Sequence, residues 1–505
     1  MYYKVNSGIM LGMNAHLINV ESDVSEGMPS IDLVGYLANE VREARERVKT
    51  AMKNSGYFIP SKKITINISP GNFKKSGTGF DLPIALSLLG CMNIITQDIL
   101  NDTLCLGELG LNGEVKPIIG VLPRVLLAKE AGLKRVIIPH DNLCEGAVVE
   151  GIEVIGVKTL NETIDYLNNK CQIEGMKLSV EKMLKEHADK EYIDFCQIKG
   201  QKALKRAMEI AAAGLHNMIM MGPPGAGKTM SAKALPSIMP PLSSEECLNI
   251  SKIYSVAGLL DNGGIKLSRP FVNPHHTITP QALSGGGAIP KPGAVSLADQ
   301  GVLFLDEIPE FRKEAIEILR QPLEDKKIVI SRANATYTYP ADFLLVAAAN
   351  PCRCGYYPDR NRCNCSEVEV KRYLGRLSGP LLDRIDICVQ TKEVLFEDLV
   401  STDNLSEKSQ TIRQRVLSAR ERQKYRFKDD DITTNSHMSP PLIEKYCKLT
   451  KREEEIMERA FIKMQISARY FHKILKIART IADLDESDNI NPNHLYEAMG
   501  YRFSI

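Results

Sequence analysis

The sequence predicts an α/β chain: a parallel sheet wound around a phosphate-binding loop, closed by a helical C-terminal region and preceded by an α+β domain. Three observations carry this. NMIMMG, GVLFLDE and FLLVAAAN are near-continuous apolar runs between residues 217 and 350, as strands buried on both faces require. The first runs into Gly222-Pro223-Pro224-Gly225-Ala226-Gly227-Lys228-Thr229, a full match to G-x-x-x-x-G-K-[ST]. Beyond residue 395, the apolar residues of EEEIMERAFIKM and YFHKILKIARTIADL fall at helical spacing.

Composition narrows the class. A length of 505 residues admits about two to four domains. Hydrophobic residues at 44% and charged residues at 25% exclude wholesale disorder. A net charge of +2 excludes a globally basic nucleic-acid coat and leaves room only for a local basic surface. No apolar run reaches the roughly 18 residues of a membrane helix. The first residues, MYYKVNSGIMLGMNAHLINVESD, lack the charged-then-apolar layout of a signal peptide. With twelve cysteines, that predicts a reducing cytoplasm.

In chain order, residues 1–168 alternate short apolar runs with Gly/Pro turns. ITINIS, RVIIP and GIEVIGV read as strands, and DLPIALSLLG and LPRVLLAKEAG as helices, with βαβ character. Residues 169–193 are polar and read as a linker or a surface helix. Residues 194–394 form the P-loop core, and residues 395–505 a helical lid.

In the P-loop, glycines let backbone N–H groups curl around phosphate oxygens, and the following helix adds its positive end. Lys228 should reach the β- and γ-phosphates, and Thr229 should ligate Mg²⁺. Asp306-Glu307 ends an apolar strand 77 residues past Thr229. Asp306 would hold the Mg²⁺ through its water shell, and Glu307 would act as general base. Cys352, Cys354, Cys363 and Cys365 place four thiols within 14 residues of a Gly/Pro/Asn/Arg loop. Four thiolates satisfy tetrahedral Zn²⁺ with no open position, which makes such a site structural; reduced free thiols or a disulfide are the alternatives. TIRQRVLSARERQKYRFK (411–428) carries seven Lys/Arg and one Glu, and is either a nucleic-acid face or a charged helix over the lid. The chain has no Trp, so contacts to a nucleic-acid backbone are favoured over base stacking.

GPPGAGKT, SLADQGVLFLDEIPEF, FLLVAAANPCRCG, RLSGPLLDRID and ARYFHKILKIARTIADL occur in this order, after VREARERVKTAMKNSG, FKKSGTGFDLPIALSLLG and GELGLNGEVKPIIGVLP. Together they resemble the magnesium-chelatase-like AAA+ ATPases of the YifB/ComM type, over essentially the whole chain. The resemblance implies a helix-2-insert AAA+ core behind a Lon-protease-like N-domain. It further implies a ring, usually a hexamer, and an ATP-driven DNA motor in branch migration during natural transformation. A chelatase-type remodeller of a protein or metal-insertion complex and a slow nucleotide-dependent scaffold are the alternatives.

By the same resemblance Asn350 positions the lytic water, though it could simply cap the turn before Pro351. Arg384 is an arginine finger for the neighbouring subunit, or else an ordinary surface ion-pair partner. Arg469 is a lid arginine for the γ-phosphate, or else a helix-surface cation. Two elements would face a ring's channel. One is an insert at about 252–295, with Arg269, His275, His276, Gly285-Gly286-Gly287 and Lys291. The other is the hairpin EDKKIVISRANATYTYP, with Arg332 near its tip and Lys326 and Lys327 at its base. Solvated or packing roles are the alternatives for both. Ala294 and Asp299 stand where the family often has an acid and a histidine. A Lon-type Ser–Lys dyad would fall on Gly77 and Leu122, with Ser76 one position off, so the N-domain reads as non-proteolytic.

Overall fold

A seven-stranded mixed sheet organises the N-terminal residues. Its spatial order is Ser30–Val34, Lys63–Ser69, Asn14–Ser25, Tyr2–Leu11, Thr103–Cys105, Arg135–Pro139 and Glu153–Val157. In Lys63–Ser69 the pleat turns Ile64, Ile66 and Ile68 into the core. Tyr2–Leu11 and Asn14–Ser25 pair antiparallel along their length, a long hairpin that carries no sequence motif. Helix Asp81–Cys91 is buried at every residue, so its one acid needs an internal partner. Arg47 supplies it, donating from two nitrogens to Asp81 at 2.7 and 2.9 Å. Burial still pushes the Asp81 carboxyl above its ordinary range.

The structure, a computed structural model, describes residues 1–95, 99–187, 192–260, 264–287, 290–332, 335–394, 407–464 and 466–502. The chain divides into two units. One comprises Met1–His187, Ser243–Leu267 and Ser331–Thr338; the other comprises Ala188–Leu242, Ser268–Ile330 and Tyr339–Ile505. Within the stretch expected as a linker, Val180–His187 is a helix of the first unit. Helix Ser244–Ala257, from the middle of the chain, also belongs there. A capping box of Ser243 and Glu246 starts it, and Cys247, Ile250, Ile253 and Val256 are buried. Its Ser255 hydroxyl donates to the buried Glu145 at 2.5 Å, which also accepts from the Leu122 N–H at 2.9 Å.

The second unit is built on a five-stranded parallel sheet. Its order is Phe271–Val272, Val302–Leu305, Leu344–Ala349, Met218–Met221 and Ile387–Gln390. All six residues of Leu344–Ala349 are buried, which explains the unbroken apolar run. One face packs Met220, Phe304 and Val346 into a core continuous with Ile474, Ile477 and Ile481 of helix Ala468–Leu484. The other face packs Ile219, Leu303 and Leu345 against Leu319 and Leu323. Helices Ser409–Arg426, Pro440–Tyr446, Lys451–Met464 and Pro492–Gly500 complete the C-terminal region. No helix among the described residues is long and apolar enough to cross a membrane.

His437 gives this unit a pH dependence. It is enclosed near Lys326, Arg420 and Lys476, with Asp342 at 3.5 Å. Burial, and then the Lys326 charge, pull its pKa down to about 4. An unfolded histidine titrates near ~6.5. As pH falls from there towards 4 the unfolded chain takes up a proton that the folded unit refuses, so stability is lost, by up to roughly 3 kcal/mol. Unfolding midpoints at pH 7 and pH 5 should differ more in the wild type than in His437→Gln; equal differences would remove His437 from the account.

Candidate nucleotide site

The P-loop joins the end of strand Met218–Met221 to helix Lys228–Ala234. Gly225 and Gly227 have φ of +78° and +76°, and a Cβ on either would project into open space. That space is a cradle of the kind a phosphate chain fills. Lys228 is buried, and burial holds its ammonium below the ordinary lysine range. Its Nζ donates to the Gly222 and Pro223 carbonyls at 2.7 and 2.9 Å and to Asn350 Oδ1 at 3.0 Å. The Thr229 hydroxyl donates to Asp306 at 2.7 Å. Four residues from three separate segments are thus brought together.

Glu307 sits at φ +51°, a left-handed conformation unusual for a residue other than glycine. Its own N–H is tied to Asp306 at 3.0 Å, and its side chain is exposed beside the loop. A strained, exposed carboxylate at the end of a buried strand stands open to a water, whereas the half-buried Asp306 is tied to Thr229.

Arg384 and Arg469 converge on one acid that the motifs do not announce. Glu324 pairs with Arg384 at 2.5 Å and with Arg469 at 3.0 Å, and the Arg384 bond holds its carboxyl below the ordinary range. Arg384 also donates to the Pro380 carbonyl. Lys473, buried, donates to the Leu382 and Ile385 carbonyls at 3.2 and 2.6 Å and fixes the turn that presents Arg384. Arg469 is therefore placed beside Arg384, with Glu324 and Asp383 as its ion-pair partners.

Sγ atoms of Cys352, Cys354, Cys363 and Cys365 all lie within 4.8 Å of one another. Three separations are 3.3, 3.5 and 3.8 Å. A tetrahedral ZnS₄ site with bonds of ~2.3 Å has S···S edges of about 3.8 Å, so the four thiols fit that ion. The Tyr356 N–H draws the Cys354 thiol down to about 6, and burial pushes Cys363 up to about 12.

Family models cover most of the chain: "Magnesium chelatase, subunit ChlI" matches residues 194–399, "Subunit ChlI of Mg-chelatase" residues 20–142, and "Magnesium chelatase, subunit ChlI C-terminal" residues 406–502. The chain is 40% identical to the uncharacterized protein YifB of Escherichia coli, over 99% of this chain and 96% of that one. It is 38% identical to competence protein ComM of Haemophilus influenzae, over 99% and 97%. The chain belongs to the YifB/ComM family of magnesium-chelatase-like AAA+ ATPases. A partial match to Lon protease 2 of Bacillus subtilis, 31% identical over 33% of this chain and 31% of that one, fits the Lon-like N-domain.

In this YifB/ComM member, the position expected for a Lon lysine holds Leu122, fully buried, and Gly77 offers no nucleophile. The hairpin forms as Lys327–Arg332 and Ala335–Pro340; its turn, residues 333–334, lies outside the described residues. Arg332 and Lys327 are exposed, whereas Lys326 is tied to Asp342 at 3.3 Å. Asp299 is structural: it accepts the Asp342 N–H at 2.7 Å where the chain leaves the hairpin. Ala294 is buried at the head of a short helix.

The insert's named residues divide between packed and exposed positions. Arg269 is buried and donates to the Pro240 and Gln300 carbonyls, both at 2.6 Å, so it packs the core. The His275 and His276 rings lie 4.1 Å apart, tilted by 34°, with His275 bonded to Thr277. Gly285-Gly286 pairs with Lys291-Pro292, leaving Lys291 exposed; Gly287 follows, also exposed. Along Ser409–Arg426, Arg413 binds the Ser237 carbonyl, Arg415 binds Glu209 and Glu407, Arg420 binds the Ala212 carbonyl and Arg426 binds Asp483. Arg413, Arg415 and Arg420 thus tie the lid to the core and Arg426 binds within the lid, which favours the charged-helix reading of 411–428, while Lys424 and Lys428 remain exposed.

Proposed function

We propose that the chain is a Mg²⁺-dependent ATPase that works in the cytoplasm as a homo-oligomeric ring, a hexamer, and moves on DNA in branch migration. The observation that carries the ATPase is the set Lys228–Asn350 and Thr229–Asp306, assembled in hydrogen-bond contact around an open glycine cradle. Lys228 turns from its carbonyl partners to the β- and γ-phosphates of ATP. Thr229 and Asp306 would hold Mg²⁺, which when bound neutralises charge on those phosphates. Glu307 accepts the proton of the attacking water, and Asn350 orients that water. Arg384 and Arg469, aligned by Glu324, are presented together to a neighbouring subunit's nucleotide. The four cysteines would hold a structural Zn²⁺.

DNA as the substrate draws support from the exposed Arg332 and Lys327 of the hairpin and from the relative named a competence protein. The chelatase models favour a second reading, remodelling of a protein complex. ATP hydrolysis with and without single-stranded and branched DNA separates them. Stimulation that fades with rising salt and vanishes in Lys228→Ala is expected for the DNA motor, because phosphate contacts release counterions. Robust hydrolysis indifferent to every DNA would turn the assignment to a protein complex.

A further inference from the structure

The cysteine loop begins two residues after Asn350, itself in contact with Lys228. It doubles back onto the P-loop. Gly355 has φ +92°, and a Cβ there would meet Pro224 at 2.7 Å, so the backbone of this loop lies directly against the phosphate loop. Beside that contact is a cavity of about 820 Å³, within the size range of small-molecule sites. Its walls include Gln201, Pro223, Gly355, Tyr356, Arg362 and Lys392.

The cavity is fixed from both sides. Gln201, held at φ +55°, donates to the Ala226 carbonyl of the P-loop at 3.2 Å and to the Lys392 carbonyl across the opening. Opposite, the Arg362 guanidinium lies 4.0 Å from the Tyr356 ring centroid and pairs with Glu393 at 2.7 Å. The loop has little core beyond its thiols: Cys352 and Cys363 pack with Val370, Tyr373 and Leu374, and Tyr356 and Tyr357 lean on that cluster. Cys354 and Cys363 therefore bracket the stretch that carries Tyr356 and Arg362.

We propose that the four-cysteine loop is a metal-dependent wall of the nucleotide site: with Zn²⁺ on Cys352, Cys354, Cys363 and Cys365, Tyr356 is held over the cavity that takes the base and ribose of ATP. Without the metal the wall loosens and affinity for the base is lost. This rests on the ATPase reading of the P-loop and adds to it a control by metal supply. Triphosphate contacts, made by Gly225, Gly227 and Lys228, are independent of the cysteines.

That independence supplies the test. The full chain is purified, its zinc is counted by atomic emission, and binding of ATP and of inorganic tripolyphosphate is measured before and after removal of the metal with a thiol-reactive mercurial and chelator. One zinc per chain is expected. ATP affinity should fall at least tenfold on metal removal and return on adding Zn²⁺ after the thiols are regenerated, with tripolyphosphate affinity unchanged. Because stripping could unfold the loop, Tyr356→Ala is measured as well; it should keep its zinc and lose the preference for ATP over tripolyphosphate. Equal ATP affinity in the zinc-free chain, absence of zinc with no response to added Zn²⁺, or an unaltered ligand preference in Tyr356→Ala would each overturn the proposal. Failure of the intact, zinc-loaded chain to bind either ligand would instead overturn the ATPase reading.

Discussion

Glu307→Gln is expected to bind ATP as the wild type does and to hydrolyse it more slowly by roughly 10²–10⁴-fold, the range spanned by loss of a general base. The expectation follows from the separation of roles around the strand end. Thr229 and Asp306 hold each other at 2.7 Å, Lys228 rests on Asn350 and two P-loop carbonyls, and none of these bonds involves the Glu307 side chain. Substitution by an isosteric amide leaves the backbone at φ +51° and the Asp306 contact through the backbone N–H in place. Single-turnover hydrolysis and binding of a fluorescent ATP analogue should therefore part company. In Lys228→Ala the two should fall together. A Glu307→Gln chain that turns over within about tenfold of wild type would place the base elsewhere.

Arg384→Ala is expected to lower hydrolysis by ~10³-fold or more, as loss of an arginine finger does, and to do so across a subunit boundary. The test is a mixture. Arg384→Ala subunits keep an intact P-loop, and Lys228→Ala subunits keep an intact arginine pair. Each preparation alone should be nearly inert, and a mixture should recover a substantial fraction of activity where the two good halves meet. No recovery would mean that Arg384 serves its own chain's nucleotide. Glu324→Gln adds a finer reading. Without the carboxylate that binds both Arg384 and Arg469, the pair loses its alignment, so ATP binding should hold while turnover falls.

How far the sequence could be read depended on whether the chemistry was local. The P-loop, Asp306-Glu307, Asn350 and the four cysteines are each contiguous or nearly so, and their residue types are dictated by phosphate, metal or thiolate geometry. Glu324, Gln201 and Lys473 carry no such signature: each acts through a partner dozens to hundreds of residues away, and only the fold brings them together. The same distance effect made the basic run at 411–428 ambiguous. Seven cations in 18 residues look available in the sequence, but Glu209, Glu407, Asp483 and the Ser237 and Ala212 carbonyls take four of them, Arg413, Arg415, Arg420 and Arg426. Arg269 followed the same rule, since a buried guanidinium with carbonyl partners cannot be told from an exposed one by composition. The long N-terminal hairpin escaped notice because its two-residue turn, Gly12-Met13, is not one of the Asn-Gly or Asp-Gly pairs that announce a hairpin most strongly, although Gly12 takes a φ of +64°.

The unit formed by the first 187 residues also contains Ser243–Leu267 and Ser331–Thr338. On the ribosome this reverses the usual order of events. Domains generally fold as they emerge, N-terminal first, but here the last piece is synthesised about 150 residues after His187, on the order of ten seconds or more later at ~5–20 residues per second. Even the earlier piece, Ser243–Leu267, comes only after Ala188–Leu242; until it emerges Glu145 lacks the Ser255 hydroxyl, and the surface that receives Cys247, Ile250 and Ile253 stays open. The nascent chain must therefore carry a half-built module while most of the P-loop core is being made. Cutting the gene at residue 193 would leave the first module permanently in that condition, and the intact chain can complete that module only after two stretches of its second, Ala188–Leu242 and Ser268–Ile330, have been translated.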